Sequence, residues 1–203
     1  MMYKELPYFD ILMYCPKETL KNFTEPELRP GLFFEQYNAQ SGRERWAQIE
    51  QSAGEFDTTE DAKKKFDADF DREESFLSSR IFFLVENGQA VANACIWETE
   101  MDGALMPMLH WVAVREEKQG LGYGEMVVRK TLYELKRLYP GKAAVLHTQT
   151  WSWPAVNLYM KMGFKLLKSD KFGHYVNRYR EAMETLKCAA PKELYRKMLE
   201  NSI

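Results

Sequence analysis

The sequence has few cysteines and no long apolar run. Its three cysteines, Cys15, Cys95 and Cys188, are odd in number and far apart, which is the pattern of neither a disulfide framework nor a zinc site. We therefore expect no bound metal and a cytoplasmic location. Uncharged apolar stretches such as 81–85 are far shorter than the roughly 20 residues of a membrane-spanning helix, so we expect no membrane contact.

The sequence also lacks an excess of either charge, since 28 Lys and Arg stand against 30 Asp and Glu. Charge alone does not draw such a chain onto nucleic acid, and we expect no nucleic-acid partner. Lys4, Glu5 and Asp10 interrupt the first ten residues, which argues against a signal peptide. No repeat or Gly/Ser-rich linker divides the 203 residues, 45% of which are hydrophobic, so we predict one domain with a real core.

Apolar spacing and turn residues predict strands and helices around one mixed sheet, an α/β or α+β fold. The pair Asn87-Gly88 predicts a tight hairpin between strands 81–85 and 90–98. Further strands are predicted at 31–38, 106–114, 143–150, 164–168 and 174–180. Helices are predicted at 41–52, from a cap at Thr58 or Thr59 onward, at 123–139, at 153–162 and from Pro191 to the C-terminus.

A glycine-rich turn follows strand 106–114 and reads Gln-Gly-Leu-Gly-Tyr-Gly at 119–124. Glycines let backbone N–H groups approach a phosphate, and the dipole of the helix that follows favours an anion. A Walker A loop requires Lys after the last glycine, and a dinucleotide fingerprint requires a third glycine at 125; Glu125 excludes both. The pattern Gln-x-x-Gly-x-Gly is met in full, and a tight turn without a ligand is the alternative.

This turn resembles motif A of the GNAT superfamily, the Gcn5-related N-acetyltransferases, in which it binds the pyrophosphate of acetyl coenzyme A. Leu-His-Trp-Val-Ala-Val at 109–114 matches that family's fourth strand and its distance to the turn. Ser-Trp-Pro-Ala-Val-Asn-Leu-Tyr-Met-Lys-Met-Gly-Phe at 152–164 resembles motif B. The family usually has Asn where this chain has Ser152, which remains a good helix N-cap. The resemblance covers roughly 80–180.

The resemblance implies the GNAT fold, a mixed central sheet of six to seven strands flanked by helices and splayed between strands four and five. It also implies a single GNAT acetyltransferase domain over 1–203. Within it, 1–30 is an N-terminal extension and 181–203 is a C-terminal helical extension. We expect the segments outside the two motifs to wrap the same sheet and to determine the acceptor.

The resemblance further implies acetyl-CoA as the acetyl donor. Amides of the turn would hold the pyrophosphate, and the backbone of strand 106–114 would pair with the pantetheine arm. An amide of that strand would face the thioester oxygen and stabilise the developing charge. The expected coenzyme A contacts are Val112, Ala113, Val114, Gln119, Gly120, Leu121, Gly122, Tyr123, Gly124, Glu125, Met126, Ser152, Ala155 and Tyr159.

Two residues are candidates for proton transfer. The resemblance implies that Tyr159 protonates the departing thiolate, which suits a phenol with a pKa of about 10; the alternative is a tyrosine that packs in the core. His110 is the candidate base that deprotonates the amine, because the strand also resembles that of the arylalkylamine N-acetyltransferases. That branch has a second histidine where this chain has Met108. A histidine that only shapes the pocket is the alternative for His110.

Several other polar and aromatic residues carry weaker hypotheses. His147 is expected either to line the acceptor site or to form a hydrogen bond with a neighbouring strand, and we favour the second role. Glu98 and Glu100 are alternative bases or solvated carboxylates, and His174 has no supporting motif. Four tryptophans lie near the expected acceptor channel, and core packing is the default interpretation for each: Trp97, Trp111, Trp151 and Trp153. Trp151 and Trp153 lie in a turn, and for these two the alternative is contact with an aromatic acceptor.

We therefore predict an N-acetyltransferase in which a primary amine attacks acetyl-CoA directly in a ternary complex. No cysteine lies in either motif, so we expect no acyl-cysteine intermediate. A module that binds acyl-CoA without turnover and a transferase for a longer acyl group are the alternatives. We favour a small-molecule amine over a protein as the acceptor. The sequence is compatible with a homodimer.

Overall fold

The computed structural model describes residues 3–203. Its strands are β1 Asp10–Cys15, β2 Leu32–Gln36, β3 Ile81–Glu86, β4 Gln89–Met101, β5 Ala104–Val114, β6 Ala144–Gln149 and β7 Lys165–Leu166. Its α-helices are α1 Lys17–Leu20, α2 Gly42–Ser52, α3 Thr59–Asp69, α4 Glu74–Ser78, α5 Tyr123–Leu138, α6 Trp153–Lys161, α7 Tyr179–Ala189 and α8 Lys192–Glu200. None of the helices in this described range combines the length and the apolar character needed to cross a membrane.

The strands form one seven-stranded sheet in the order β2-β3-β4-β5-β6-β1-β7. β5 and β6 pair in parallel through Met108–Val145 and Leu109–Leu146. The pairs β2–β3, β3–β4, β6–β1 and β1–β7 are antiparallel. The predicted mixed sheet of six to seven strands flanked by helices is therefore confirmed. The separation of β5 from β6 beyond these pairs stays a prediction.

The chain forms two compact units, whose boundaries fall inside β4, β5 and α5 and between residues 23 and 24. The first unit comprises Thr24–Ile96 and His110–Leu135. The second unit comprises Trp97–Leu109, Lys136–Ile203 and the described residues before Thr24. A single GNAT domain over 1–203 stays a prediction.

The first unit has an aromatic core where α2 and α3 pack together. The ring of Trp46 lies 5.3 Å from that of Phe66 and 5.8 Å from that of Phe70, and all three side chains are buried. Thr58 caps α3 as predicted, since its hydroxyl accepts a hydrogen bond of 3.1 Å from the Asp61 amide. Aromatic packing together with a correct cap therefore explains why this segment folds as helices.

The second unit contains a strand, β1, that was not predicted from the sequence. β1 lies between β6 and β7, and its register places Asp10 opposite Gln149. The sequence Asp-Ile-Leu-Met-Tyr-Cys is apolar on both faces of the strand, and four of its residues are buried, as in a strand covered on both sides. The region 1–30, predicted as an extension outside the motifs, therefore supplies an internal strand of the sheet.

The strand predicted at 174–180 is wrong. The Asn177 side-chain amide donates to the carbonyls of Leu167 and Asp170 at 2.9 and 2.8 Å, and its oxygen accepts from the Tyr179 amide. These bonds satisfy the backbone locally and hold the segment as an irregular loop. α7 then begins at Tyr179, so the C-terminal extension is helical over α7 and α8, as predicted.

Candidate active site

The predicted site residues divide between the two units. The first unit contains His110 and most of the expected coenzyme A contacts, namely Val112, Ala113, Val114, Gln119, Gly120, Leu121, Gly122, Tyr123, Gly124, Glu125 and Met126. The second unit contains Ser152, Ala155 and Tyr159.

The glycine-rich turn leads directly into α5. Gly120 and Gly122 have φ values of +79° and +84°, in the left-handed region that favours glycine. A Cβ at either position would meet no atom within 4 Å, so the requirement for glycine is conformational and the space beside the turn is open. The first amides of α5 have no carbonyl partner within the helix, and its dipole favours an anion there. The turn therefore fits a phosphate group.

Two cations lie beside this turn. The Arg29 guanidinium donates to the Leu121 carbonyl at 3.0 Å and lies 5.5 Å from the centre of the Tyr123 ring. Lys118 pairs with Glu86 at 2.6 Å, and the Tyr123 hydroxyl donates to the other Glu86 oxygen. These two bonds lower the pKa of Glu86. Arg29 is 92 positions from Leu121, and no sequence pattern connected it with the turn.

Strand β5 has an unusual backbone at Trp111, whose φ is +45°. A bulky residue in the left-handed region costs roughly 1–2 kcal/mol. Its side chain is anchored: the indole N–H donates to Asp69 Oδ2 at 3.1 Å, and the ring lies 5.0 Å from that of Trp46. The half-buried His110 immediately precedes it, with ring centres 5.4 Å apart. The strained residue thus lies between the candidate base and the strand segment expected to pair with pantetheine.

A buried polar pair holds the carbonyl of Trp111. Asn93, which is 0% exposed, donates from its Nδ2 to the Trp111 oxygen at 2.8 Å and to Glu50 Oε1 at 2.9 Å. Burial raises the pKa of Glu50 to about 8, so its carboxyl group is protonated at neutral pH. No sequence motif predicted a role for either residue. A signal was present, because Asn93 interrupts the apolar strand Val-Ala-Asn-Ala-Cys-Ile and Glu50 lies one helical turn after Trp46.

Helix α6 carries the predicted residues of the second unit. Tyr159 is buried at 6% exposure, and its ring lies 6.2 Å from that of Phe164. Ser152 precedes the helix but does not cap it through its side chain, and its hydroxyl instead accepts from Gln149 Nε2 at 3.2 Å. Ser152 therefore occupies the N-cap position of α6, as predicted, but its side chain makes no capping hydrogen bond. Ala155 is half-buried on the same helix.

His147 has a firm structural role in the second unit. Its Nε2 lies 2.8 Å from Asp10 Oδ1, and its ring stacks on Tyr175 with centres 4.2 Å apart. Burial would raise the pKa of Asp10, but hydrogen bonds from His147, Tyr8 and the Val176 backbone outweigh it and lower that pKa. These contacts join β1, β6 and the irregular loop, which agrees with the strand-bonding alternative for His147.

The remaining candidates also have structural partners in the second unit. The Tyr139 hydroxyl donates to Glu98, and the Glu100 carbonyl accepts from the Gly173 amide at 2.7 Å. His174, which is exposed, lies 4.2 Å from the ring of Tyr175. Neither carboxylate nor His174 gains support as a base from these contacts.

The tryptophans of the turn before α6 contact the N-terminal segment. The Trp151 indole donates to the Leu6 carbonyl at 2.6 Å, and its ring lies 5.1 Å from that of Tyr8. The Trp153 ring lies 5.2 Å from that of Tyr3. Both rings thus have packing partners, and Trp97 packs against a buried apolar cluster. These contacts favour the core alternative for all three residues.

The cysteines are all free thiols. Burial raises the pKa of Cys15 to about 12 and that of Cys95 well above its usual value, so both stay protonated and are poor nucleophiles at neutral pH. Cys188 is exposed on α7, outside both motifs. Within residues 3–203, no group of three or more His, Cys, Asp or Glu side chains could hold a metal ion.

A family model described as the acetyltransferase (GNAT) domain matches residues 78–166. This segment includes β3 to β6, the glycine-rich turn, α5 and α6, as well as His110 and Tyr159. Asn93 and Trp111 also lie within it, whereas Glu50 and Arg29 lie before it.

An N-alpha-acetyltransferase of Sulfurisphaera tokodaii is 26% identical to this chain, over 54% of the chain and 76% of the relative. A GCN5-related N-acetyltransferase from Sphaerobacter thermophilus has a similar structure, with a TM-score of 0.61, 16% identity and coverage of 84% of this chain. A GNAT-family acetyltransferase from Colwellia psychrerythraea gives a TM-score of 0.58, with 9% identity and 79% coverage. This chain spans 54% of the length of each solved structure, and the likeness to them shows the fold alone.

Proposed function

We propose that this chain is a GNAT-type acetyltransferase that transfers the acetyl group of acetyl-CoA to a primary amine, because a GNAT acetyltransferase domain model matches residues 78–166. The observation that carries the proposal is the turn before α5, with Gly120 and Gly122 in the left-handed region and open space beside them. Such a turn at a helix N-terminus suits the pyrophosphate of a coenzyme.

The proposed donor site uses backbone groups more than side chains. Amides of 121–126 hold the pyrophosphate, and Arg29 adds positive charge beside the turn, whereas the charge of Lys118 is offset by its pair with Glu86. Backbone groups of Val112 and Val114 pair with the pantetheine arm. Ser152, Ala155 and Tyr159 are assigned as contacts through the resemblance to motif B. Bound acetyl-CoA supplies the activated acetyl group, and these residues bind and orient it.

Two side chains move protons in the proposed reaction. The Tyr159 hydroxyl gives its proton to the sulfur that leaves, because a phenol and a thiol have comparable basicity. His110 removes a proton from the attacking amine, a role supported by the resemblance of its strand to that of the arylalkylamine N-acetyltransferases. The burial of Tyr159 supports a role in which water does not compete for its proton.

The proposed acceptor is a small molecule with a primary amine, and the proposed location is the cytoplasm, which three free thiols suit. The relative from Sulfurisphaera tokodaii is named an N-alpha-acetyltransferase. This observation favours a second candidate acceptor, the α-amino group of a peptide. Both acceptor types therefore belong in the test.

The decisive experiment incubates the purified chain with acetyl-CoA and a panel of arylalkylamines, polyamines, amino acids and short peptides. Release of the coenzyme A thiol above the amine-free rate, together with the acetylated product by mass spectrometry, would support the proposal. Binding of acetyl-CoA without release across the panel would favour a sensor module. Native mass spectrometry of the co-purified ligand separates acetyl-CoA from a longer acyl-CoA.

A further inference from the structure

We propose that Asn93 and Glu50 are positioning residues that hold Trp111 in its left-handed conformation and so orient the next amide of β5, that of Val112, toward the acyl group. The inference rests on the proposed function, which expects an amide of this strand to face the thioester oxygen. Neither residue touches the donor in this proposal. Each acts through the backbone of Trp111.

The geometry connects three elements of the first unit in one chain of hydrogen bonds. Glu50 on α2 accepts from Asn93 on β4, and Asn93 donates with the same nitrogen to the Trp111 carbonyl on β5. A peptide unit turned by a positive φ at Trp111 requires a partner for its carbonyl, because a buried carbonyl without one is unfavourable. The Asn93 amide supplies that partner.

The side chain of Trp111 is also held in place, by contacts separate from those of its carbonyl. Asp69 accepts from the indole, and Lys65 pairs with Asp69 at 2.8 Å. The rings of Trp46 and Phe56 lie 5.0 and 5.9 Å from the Trp111 ring. The carbonyl and the indole of Trp111 are therefore held by separate sets of contacts, and both sets are made in the left-handed conformation.

The pair is a poor choice for stability alone. Asn93 Oδ1 is buried and accepts no hydrogen bond within the described residues, and the Glu50 carboxyl is 3% exposed. An apolar side chain in place of Glu50 would remove a buried carboxyl group, and Asn93 serves the Trp111 carbonyl while its own oxygen stays unsatisfied. Backbone strain together with costly buried polar groups is typical of functional sites. This combination points to a positioning role.

The test compares Asn93→Ala and Glu50→Leu with two controls. Glu50→Gln keeps an oxygen that accepts from Asn93. Thr131→Val removes another buried hydrogen bond of the first unit, from Thr131 to the Val127 carbonyl on α5, and leaves β5 untouched. Glu50→Leu keeps the proposal testable if Asn93→Ala does not fold.

The first measurement does not depend on turnover. Backbone NMR chemical shifts report the conformation of Trp111 in each folded variant. We expect Trp111 to leave the left-handed region in Asn93→Ala and Glu50→Leu and to keep it in both controls. A left-handed Trp111 in Asn93→Ala, or in Glu50→Leu if the alanine variant does not fold, would overturn the proposal, whether or not the protein acetylates any amine.

The second measurement uses the acceptor found in the amine panel. Loss of one oriented amide donor lowers kcat by about 10²–10³, and we expect a loss approaching this range in Asn93→Ala. We expect KM for acetyl-CoA and calorimetric affinity for coenzyme A to change less than about threefold, because the glycine-rich turn that holds the pyrophosphate is unaltered. Equal kcat values in Asn93→Ala and Thr131→Val would overturn the proposal. Failure of the wild-type protein to bind coenzyme A would instead overturn the proposed function.

Discussion

The pH dependence of stability provides a direct test of the buried Glu50 carboxyl. Burial raises its pKa from 4.5 to about 8 in the folded protein. The folded state therefore binds this proton more tightly than the unfolded state. The stability that it contributes is complete below pH 4.5 and is lost as the pH rises through 8.

The size of this loss follows from the shift. At about 1.36 kcal/mol per pKa unit, a rise from 4.5 to about 8 costs roughly 5 kcal/mol of unfolding free energy above pH 8 and about 3 kcal/mol at pH 7. Glu50→Gln has no such titration. We expect the variant to become progressively more stable relative to the wild type between pH 5 and pH 8.

Urea denaturation of the wild type and Glu50→Gln at pH 5, 6, 7 and 8 measures the difference between their free energies of unfolding. The titration of groups common to both proteins cancels in this difference. Glu44→Gln on the same helix is the control, because hydrogen bonds from Lys63 and Gln48 lower the pKa of Glu44. The control should show a weak trend of opposite sign. A difference between wild type and Glu50→Gln that stays constant from pH 5 to pH 8 would refute the burial argument.

Three further substitutions test the proposed donor site and proton transfers. Tyr159→Phe should lower kcat by about 10²–10³ with KM nearly unchanged; an unchanged kcat would remove Tyr159 as the acid. His110→Ala should remove one limb of the pH–rate profile, and an unaltered profile would assign the base elsewhere. Arg29→Gln should weaken coenzyme A binding about tenfold in calorimetry, less so at high salt, whereas Arg43→Gln, a surface control paired with Asp67, should not.

The local elements of this fold were predictable because short-range patterns determine them. The Asn87-Gly88 turn requires positive φ at both residues, and the structure has +51° and +80° there. Thr58 accepts from the amide three residues later, which depends on nothing outside its own helix. The start of α5 after the glycine-rich turn is similarly local, and the family resemblance rested on this kind of signal.

Errors arose where a segment's conformation depended on distant partners. The run 10–15 has the composition of a buried strand, but only its pairing with β6 places it inside the sheet. The segment 174–180 has strand-like residues, yet Asn177 satisfies its backbone groups locally. Composition alone does not reveal which of two apolar segments finds a free strand edge, because pairing energy is gained only in the folded sheet.

The sequence by itself determined the glycine-rich turn and the motif spacing that resembles the GNAT family, because both follow from local backbone requirements, and that resemblance made Tyr159 and His110 the candidate pair. Only the tertiary structure decided that Trp111 is strained and that Asn93 and Glu50 hold its carbonyl. Those contacts join residues 18 and 43 positions apart. Hydrogen bonds between such residues exist only once helix and strands are packed, since burial makes them favourable and raises the pKa of Glu50.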